Sequence, residues 1–177
     1  MQKIYDDKYY IDLALKKAKV AACNGDIPVG CIIVYNENKK NRKMCEVAKL
    51  AGIKDGEVIA TSYNKRNKNK NAISHAEILA ISKACKKISD FRLEECTIYV
   101  TLEPCQMCAG AIVQSRIKRL VIGTKSEKSG SCGSIINVLD NDEFNHKVEV
   151  TFLDDNDCKV IIKDFFKGIR GGKDGRE

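Results

Sequence analysis

One stretch constrains this chain more than any other. It opens with Ser74-His75-Ala76-Glu77 and closes with Glu103-Pro104-Cys105-Gln106-Met107-Cys108. One histidine and two cysteines are enough, in kind and spacing, to hold a zinc ion. Glu77 stands beside the histidine and is not needed as a ligand. Three protein ligands, an open metal position and a spare carboxylate describe a catalytic zinc more than a structural one. Any fold this chain adopts must bring the two halves of the stretch together.

The remaining sequence predicts elements able to do so. Tyr10, Leu13, Ala14, Ala18 and Ala21 recur at helical steps, giving a helix over 8–24 with Asn24-Gly25 as its stop. Val29 to Tyr35 is an apolar, β-branched run without polar alternation, the pattern of a strand buried on both faces. Residues 57–63, 96–101 and 119–123 read as further strands, and 147–152 alternates like an outer one. Helices are expected from Ser74, from Pro104 through Ser115, and from a cap at Asp154 or Asp155 to about Ile169. Proline is tolerated in the first turn of a helix, where the N–H groups lack partners anyway.

Helices alternate with strands, which predicts a layered α/β domain whose second half is largely parallel. The first two strands lack a crossover helix between them and should pair antiparallel. Residues 36–56 are too long and polar for a hairpin and read as a surface insertion with a short helical hint at 44–50. One domain is expected over 1–170, with 171–177 as a frayed tail.

Nine cysteines, an odd number irregularly spaced, do not read as a secreted disulfide framework. Cys23, Cys31, Cys45, Cys85, Cys96, Cys132 and Cys158 are expected to be small, mostly buried hydrophobes in a reduced, cytoplasmic or nuclear setting. The N-terminus has no apolar core of a signal peptide, and no run is apolar and long enough for a membrane span. The net charge is +7, and residues 36–70 carry ten Lys or Arg against four acids. A basic collar ahead of His75 would favour a polyanionic substrate; a merely solvated Lys/Asn-rich loop is the alternative.

Each piece of the central stretch has a plainer reading. A lone C-x-x-C can be redox-active or half of a structural zinc site, whose fourth ligand would have to be Cys96, Cys132 or His146. Ser74-His75-Ala76-Glu77 matches the S-x-x-E capping box, in which the glutamate folds back onto the helix start. Together, however, H-x-E followed by P-C-x-x-C is the signature of zinc nucleobase deaminases.

The chain resembles one branch of that superfamily, the tRNA-specific adenosine deaminases. The likeness is carried by Ile27-Pro28-Val29-Gly30, Asn64, His75-Ala76-Glu77, Tyr99 to Ile112, Ser115-Arg116-Ile117, Gly133-Ser134 and Asp164-Phe165-Phe166. It implies a cytidine deaminase-like α/β/α fold around a mixed sheet. It implies zinc on His75, Cys105 and Cys108, with Glu77 as general acid and base. Asn64 would contact the substrate, adenosine 34 in a tRNA anticodon stem-loop, which becomes inosine. It further implies either a homodimer or a heterodimer with a catalytically silent sister subunit. Ser126 departs from the aspartate of many bacterial members, and the C-terminal helix has fewer arginines. Two other functions share the ligand set: a deaminase of free guanine, cytidine or dCMP, and a non-catalytic zinc subunit.

Overall fold

A computed structural model describes residues 5–171. Five strands form one sheet: β1 (Gly30–Tyr35), β2 (Val58–Tyr63), β3 (Cys96–Leu102), β4 (Arg119–Thr124) and β5 (Glu149–Phe152). Their spatial order is β2-β1-β3-β4-β5. β1 pairs antiparallel with both β2 and β3, whereas β3, β4 and β5 run parallel. The mixed sheet and the antiparallel first pair match the expectation from the sequence.

Helices cover both faces, and the strands sort their side chains between them. Cys31, Ile33, Ile98, Val100, Leu120 and Ile122 pack toward α4 (Ala76–Ile88) and α5 (Gln106–Gln114). Ile32, Val34, Tyr99 and Val121 pack toward α1 (Asp7–Cys23) and α6 (Asn156–Gly171). A sheet covered on both sides needs no polar alternation, and this explains the continuous apolar run of β1. Gly30 opens β1 directly under α1. A Cβ there would strike the Ala14 carbonyl and the Ala18 amide, so the helix can approach only because that atom is missing.

Three boundaries differ from the sequence reading. The helix expected from Ser74 begins at Ala76 with His75 as its N-cap, and the one expected from Pro104 begins at Gln106 with Cys105 as its N-cap. The insertion is more than a surface loop: α2 (Arg42–Leu50), capped by the Asn41 side chain, buries Met44 and Ala48, and Ile53 follows them into the core. A short turn of helix, α3 (Arg66–Asn69), lies in the segment read as loop. Asp155 accepts the Cys158 N–H at 2.9 Å and caps α6, which runs to Gly171; the rest of the expected frayed tail, 172–177, lies outside the described residues.

The basic collar is divided. The register aligns Gly30, Tyr63, Leu102 and Thr124 at one end of the sheet and Tyr35, Val58, Cys96 and Arg119 at the other. The insertion joins β1 to β2 at the second end, some 20 Å away across six-residue strands. It takes six of the ten cations and all four acids with it. Only Lys65, Arg66, Lys68 and Lys70 stand at the end where His75 and Cys105 lie.

Candidate active site

Two helix starts meet at that end. His75 follows the β2–α3 segment and Cys105 follows β3, each in an extended conformation that leaves its side chain free of capping duty. The Cys105 Sγ lies 3.7 Å and the Cys108 Sγ 3.5 Å from the His75 Nδ1. A tetrahedral zinc with Zn–S of about 2.3 Å and Zn–N of about 2.0–2.1 Å would separate sulfur and nitrogen by roughly 3.6 Å. The three ligand atoms therefore already stand at the edges of such a tetrahedron.

No fourth His, Cys, Asp or Glu joins this group among the described residues. Of the three candidates considered above, Cys96 pairs with Tyr35 at the far end of the sheet. The His146 ring meets the Ile117 carbonyl at 2.7 Å. Cys132 is buried nearby and turns its backbone N–H to Glu103. A closed four-ligand structural site is thus not formed by these residues. Of the other cysteines, Cys31, Cys96, Cys132 and Cys158 are buried, Cys45 and Cys85 half-buried, and Cys23 exposed.

The ligand electrostatics favour a cation. Cys105 is brought down to about 3, first by its contact with Cys108 and, against burial, by His75. The same contact with Cys105, followed by burial, pushes Cys108 up. His75 is raised, chiefly by Cys105. The three groups share protons at the place where a metal would replace them.

Glu77 is 3% exposed. The capping box is not formed, because the N-cap is His75 and Ser74 is engaged elsewhere: its Oγ accepts from the Asn69 Nδ2 at 3.2 Å. Glu77 Oε2 has no partner although it is buried. Burial raises the Glu77 carboxyl above the ordinary range, against the opposing pull of His75. A buried carboxyl without a hydrogen bond is costly, and such groups gather where a ligand completes them.

Asn64 is the second orphan. Its Nδ2 donates to the Ile27 carbonyl at 3.3 Å, which orients the amide and leaves the buried Oδ1 without a partner. Both orphans line one cleft of about 140 Å³, together with His75, Cys105, Arg66, Glu103 and Ser129 and the apolar Ile27, Val29 and Leu102. That is less than the roughly 300–1,000 Å³ that encloses a drug-sized ligand. It fits one flat heterocycle, with ribose and phosphates left outside.

Arg66, Glu103 and Ser129 were not singled out as cleft residues from the sequence. Glu103 gives the clearest reason. Its carboxylate accepts the backbone N–H groups of Ser126 and Cys132 at 3.0 Å and of Ser134 at 3.1 Å, and also the Ser134 hydroxyl. Those donors are remote in sequence, so only the immediate neighbour of Pro104-Cys105 could have drawn attention to it. Ser126 itself does not line the cleft; its hydroxyl meets that of Ser129, which does.

Comparison with known proteins agrees with this arrangement. The family model of MafB19-like deaminases matches residues 32–170. The tRNA-specific adenosine deaminase of Bacillus subtilis is 38% identical over 168 residues, covering 94% of this chain and 92% of that protein. A solved structure from work on A-to-I editing by tRNA:A34 deaminases superposes with a TM-score of 0.73. It is 31% identical and covers 87% of this chain and 99% of its own. Guanine deaminase from Nitrosomonas europaea shares the fold, with a TM-score of 0.67 at 19% identity over 93% of this chain and 86% of that one.

Proposed function

The chain belongs to the MafB19-like deaminase family and, within it, groups with the tRNA-specific adenosine deaminases; from this we propose that it converts adenosine 34 of tRNA to inosine by zinc-dependent hydrolysis. The observation that carries the proposal is the pair of buried oxygens without partners, Glu77 Oε2 and Asn64 Oδ1, in one cleft beside His75, Cys105 and Cys108.

His75, Cys105 and Cys108 would hold the zinc. Zinc bound there acts as a Lewis acid that makes a water nucleophilic near neutral pH. Glu77 takes a proton from the attacking water and delivers it to the purine ring, then assists the amine as it departs. Water adds at C6, the C6–N6 bond breaks, and inosine and ammonia are the products. A carboxyl whose pKa is raised by burial is matched to both halves of that exchange. Asn64 Oδ1 accepts a hydrogen bond from the nucleoside, with the amide held in orientation by Ile27. Ile27, Val29 and Leu102 offer apolar surface to the base, and the exposed Arg66 stands at the rim.

The substrate is an anticodon loop, whose base is already unpaired and is splayed out for only a few kcal/mol, about the cost known for extruded bases. The enzyme acts in the cytoplasm as a homodimer or with a silent sister subunit. Among the described residues no helix is long and apolar enough to cross a membrane. Sequencing A34-containing tRNA for inosine after incubation with the zinc-loaded protein tests the proposal. Absence of conversion in the presence of the partner subunit, or faster turnover of free guanine, cytidine or dCMP, overturns it.

A further inference from the structure

Beside the cleft, four lysines gather without an acid among them, and we propose that they form a phosphate-binding surface for the RNA strand that flanks the deaminated nucleotide. The inference rests on the reading of the substrate as RNA. Its geometry begins at Tyr63, the last residue of β2, the edge strand of the sheet. The Lys65 Nζ stands 4.7 Å and the Lys68 Nζ 6.0 Å from the centre of the Tyr63 ring, and the Lys68 Nζ also reaches the Tyr63 hydroxyl at 3.5 Å. Lys83, from α4, donates to the Thr61 carbonyl on the same strand at 2.7 Å. Lys17, from α1 on the opposite face, completes the group, and its charge together with that of Lys65 is felt at Lys83.

None of the four forms an ion pair among the described residues. What holds them is an aromatic face and a backbone carbonyl, so their mutual repulsion is left for an anion to relieve. Burial first, and then Lys65 and Lys17, already lower the pKa of Lys83. Edge strands often carry one lysine to prevent strand pairing. That does not explain cations converging from two faces of the sheet on one ring.

Position decides the kind of anion. Asn64 and Arg66 line the cleft, whereas Tyr63 and Lys65, which alternate with them along the chain, do not. A strand whose base enters the cleft must therefore run its phosphates past the cluster. Asp26 fixes the local backbone, accepting the N–H of Asn67 at 2.7 Å and of Lys68 at 3.2 Å.

The test is a Lys65→Gln, Lys83→Gln double variant in the assembled, zinc-loaded enzyme. The KM for full-length tRNA should rise roughly tenfold with kcat unchanged. In a Glu77→Gln background, the salt dependence of RNA binding should become shallower by about one, as expected when phosphate contacts are lost. A Lys147→Gln, Lys159→Gln variant removes equal charge elsewhere and should leave both quantities alone. If the double variant melts early, Lys65→Gln alone serves, with half the change in slope.

An unchanged KM and slope, or a fall in kcat alone, overturns the proposal. Loss of a partner subunit in native mass measurement with RNA affinity intact also overturns it, and makes the cluster a protein interface instead. Should the wild type convert no tRNA, the functional reading fails separately. Binding of the Glu77→Gln background to a single-stranded RNA oligonucleotide still decides whether the cluster grips phosphates.

Discussion

A Cβ on Gly130 would collide with the carboxylate of Glu103. The glycine lets the loop from Ser126 to Ser134 wrap tightly enough for three of its N–H groups to converge on that one side chain. Burial pushes the Glu103 carboxyl up, but the hydrogen bonds from Ser134, Ser126 and Cys132 outweigh it and leave the group below the usual range. A lowered carboxyl stabilises the fold above its unfolded value of about 4.3, and the contribution is lost as pH falls through the folded value. Glu103→Gln should cost about 1.5–3 kcal/mol, because an N–H₂ would face backbone donors. Thermal melts at pH 7 and in mild acid check this: the gap between variant and wild type should narrow at low pH. Hydrogen exchange should rise over residues 126–134.

Glu77→Gln should retain the metal and lose catalysis. The variant keeps the size of the side chain and the three ligands, but it cannot take a proton from water. Inosine formation should fall at least about 10²-fold, the lower end of what a general acid/base supplies. Metal content, measured by elemental analysis, should stay near that of wild type. Cys105→Ser or His75→Ala should instead lose metal and activity together, since each removes one of the three atoms of the ligand group.

Asn64→Ala should reduce kcat/KM by about 10²-fold or more, with little effect on metal content. The side chain contributes an oriented acceptor, and a buried site built to hydrogen-bond a substrate discriminates strongly through that bond. Steady-state kinetics on an anticodon stem-loop would show the loss. An unchanged kcat/KM would mean that the unpaired Oδ1 serves no ligand.

How much of this was readable in the sequence depends on the range of the interaction. The strands and their pairing followed from apolar runs and the missing crossover, which are local signals. The capping box failed because Ser74 is drawn away by Asn69, its backbone carbonyl taking the Lys65 N–H at 2.9 Å, so the helix starts one residue later. The α2 helix was only hinted at, since its polar face dominates the composition while two buried side chains and Ile53 anchor it. Glu103 could not be assigned, because its donors are brought to it by the fold. The basic collar was misjudged for the same reason: adjacency along the chain places six of its cations at the wrong end of the sheet.

The last prediction concerns what fastens α1 to the sheet. Arg119 at the start of β4 grips Asp7 through two parallel hydrogen bonds of 2.8 Å, and the Tyr99 hydroxyl donates to the same carboxylate at 3.0 Å. The Arg119 hydrogen bond leads in lowering the Asp7 pKa, with Tyr99 adding to it against burial. The carboxylate therefore contributes stability above its unfolded value of about 3.9, and that contribution disappears as pH drops through the lower, folded value. The pair is about a quarter exposed on each side, so solvent screening reduces its worth. Asp7→Asn should cost about 1 kcal/mol at pH 7, as for a bidentate pair that is only partly buried. In a chain of this size that lowers the melting temperature by about 2–4 °C. Below about pH 3 the two proteins should unfold alike. A constant difference across the acid range would show that Asp7 acts through α1 packing or the helix start instead of through its charge. The far-end location of the clamp makes a further demand: kcat for tRNA should be unaffected by Asp7→Asn at temperatures where both proteins are folded.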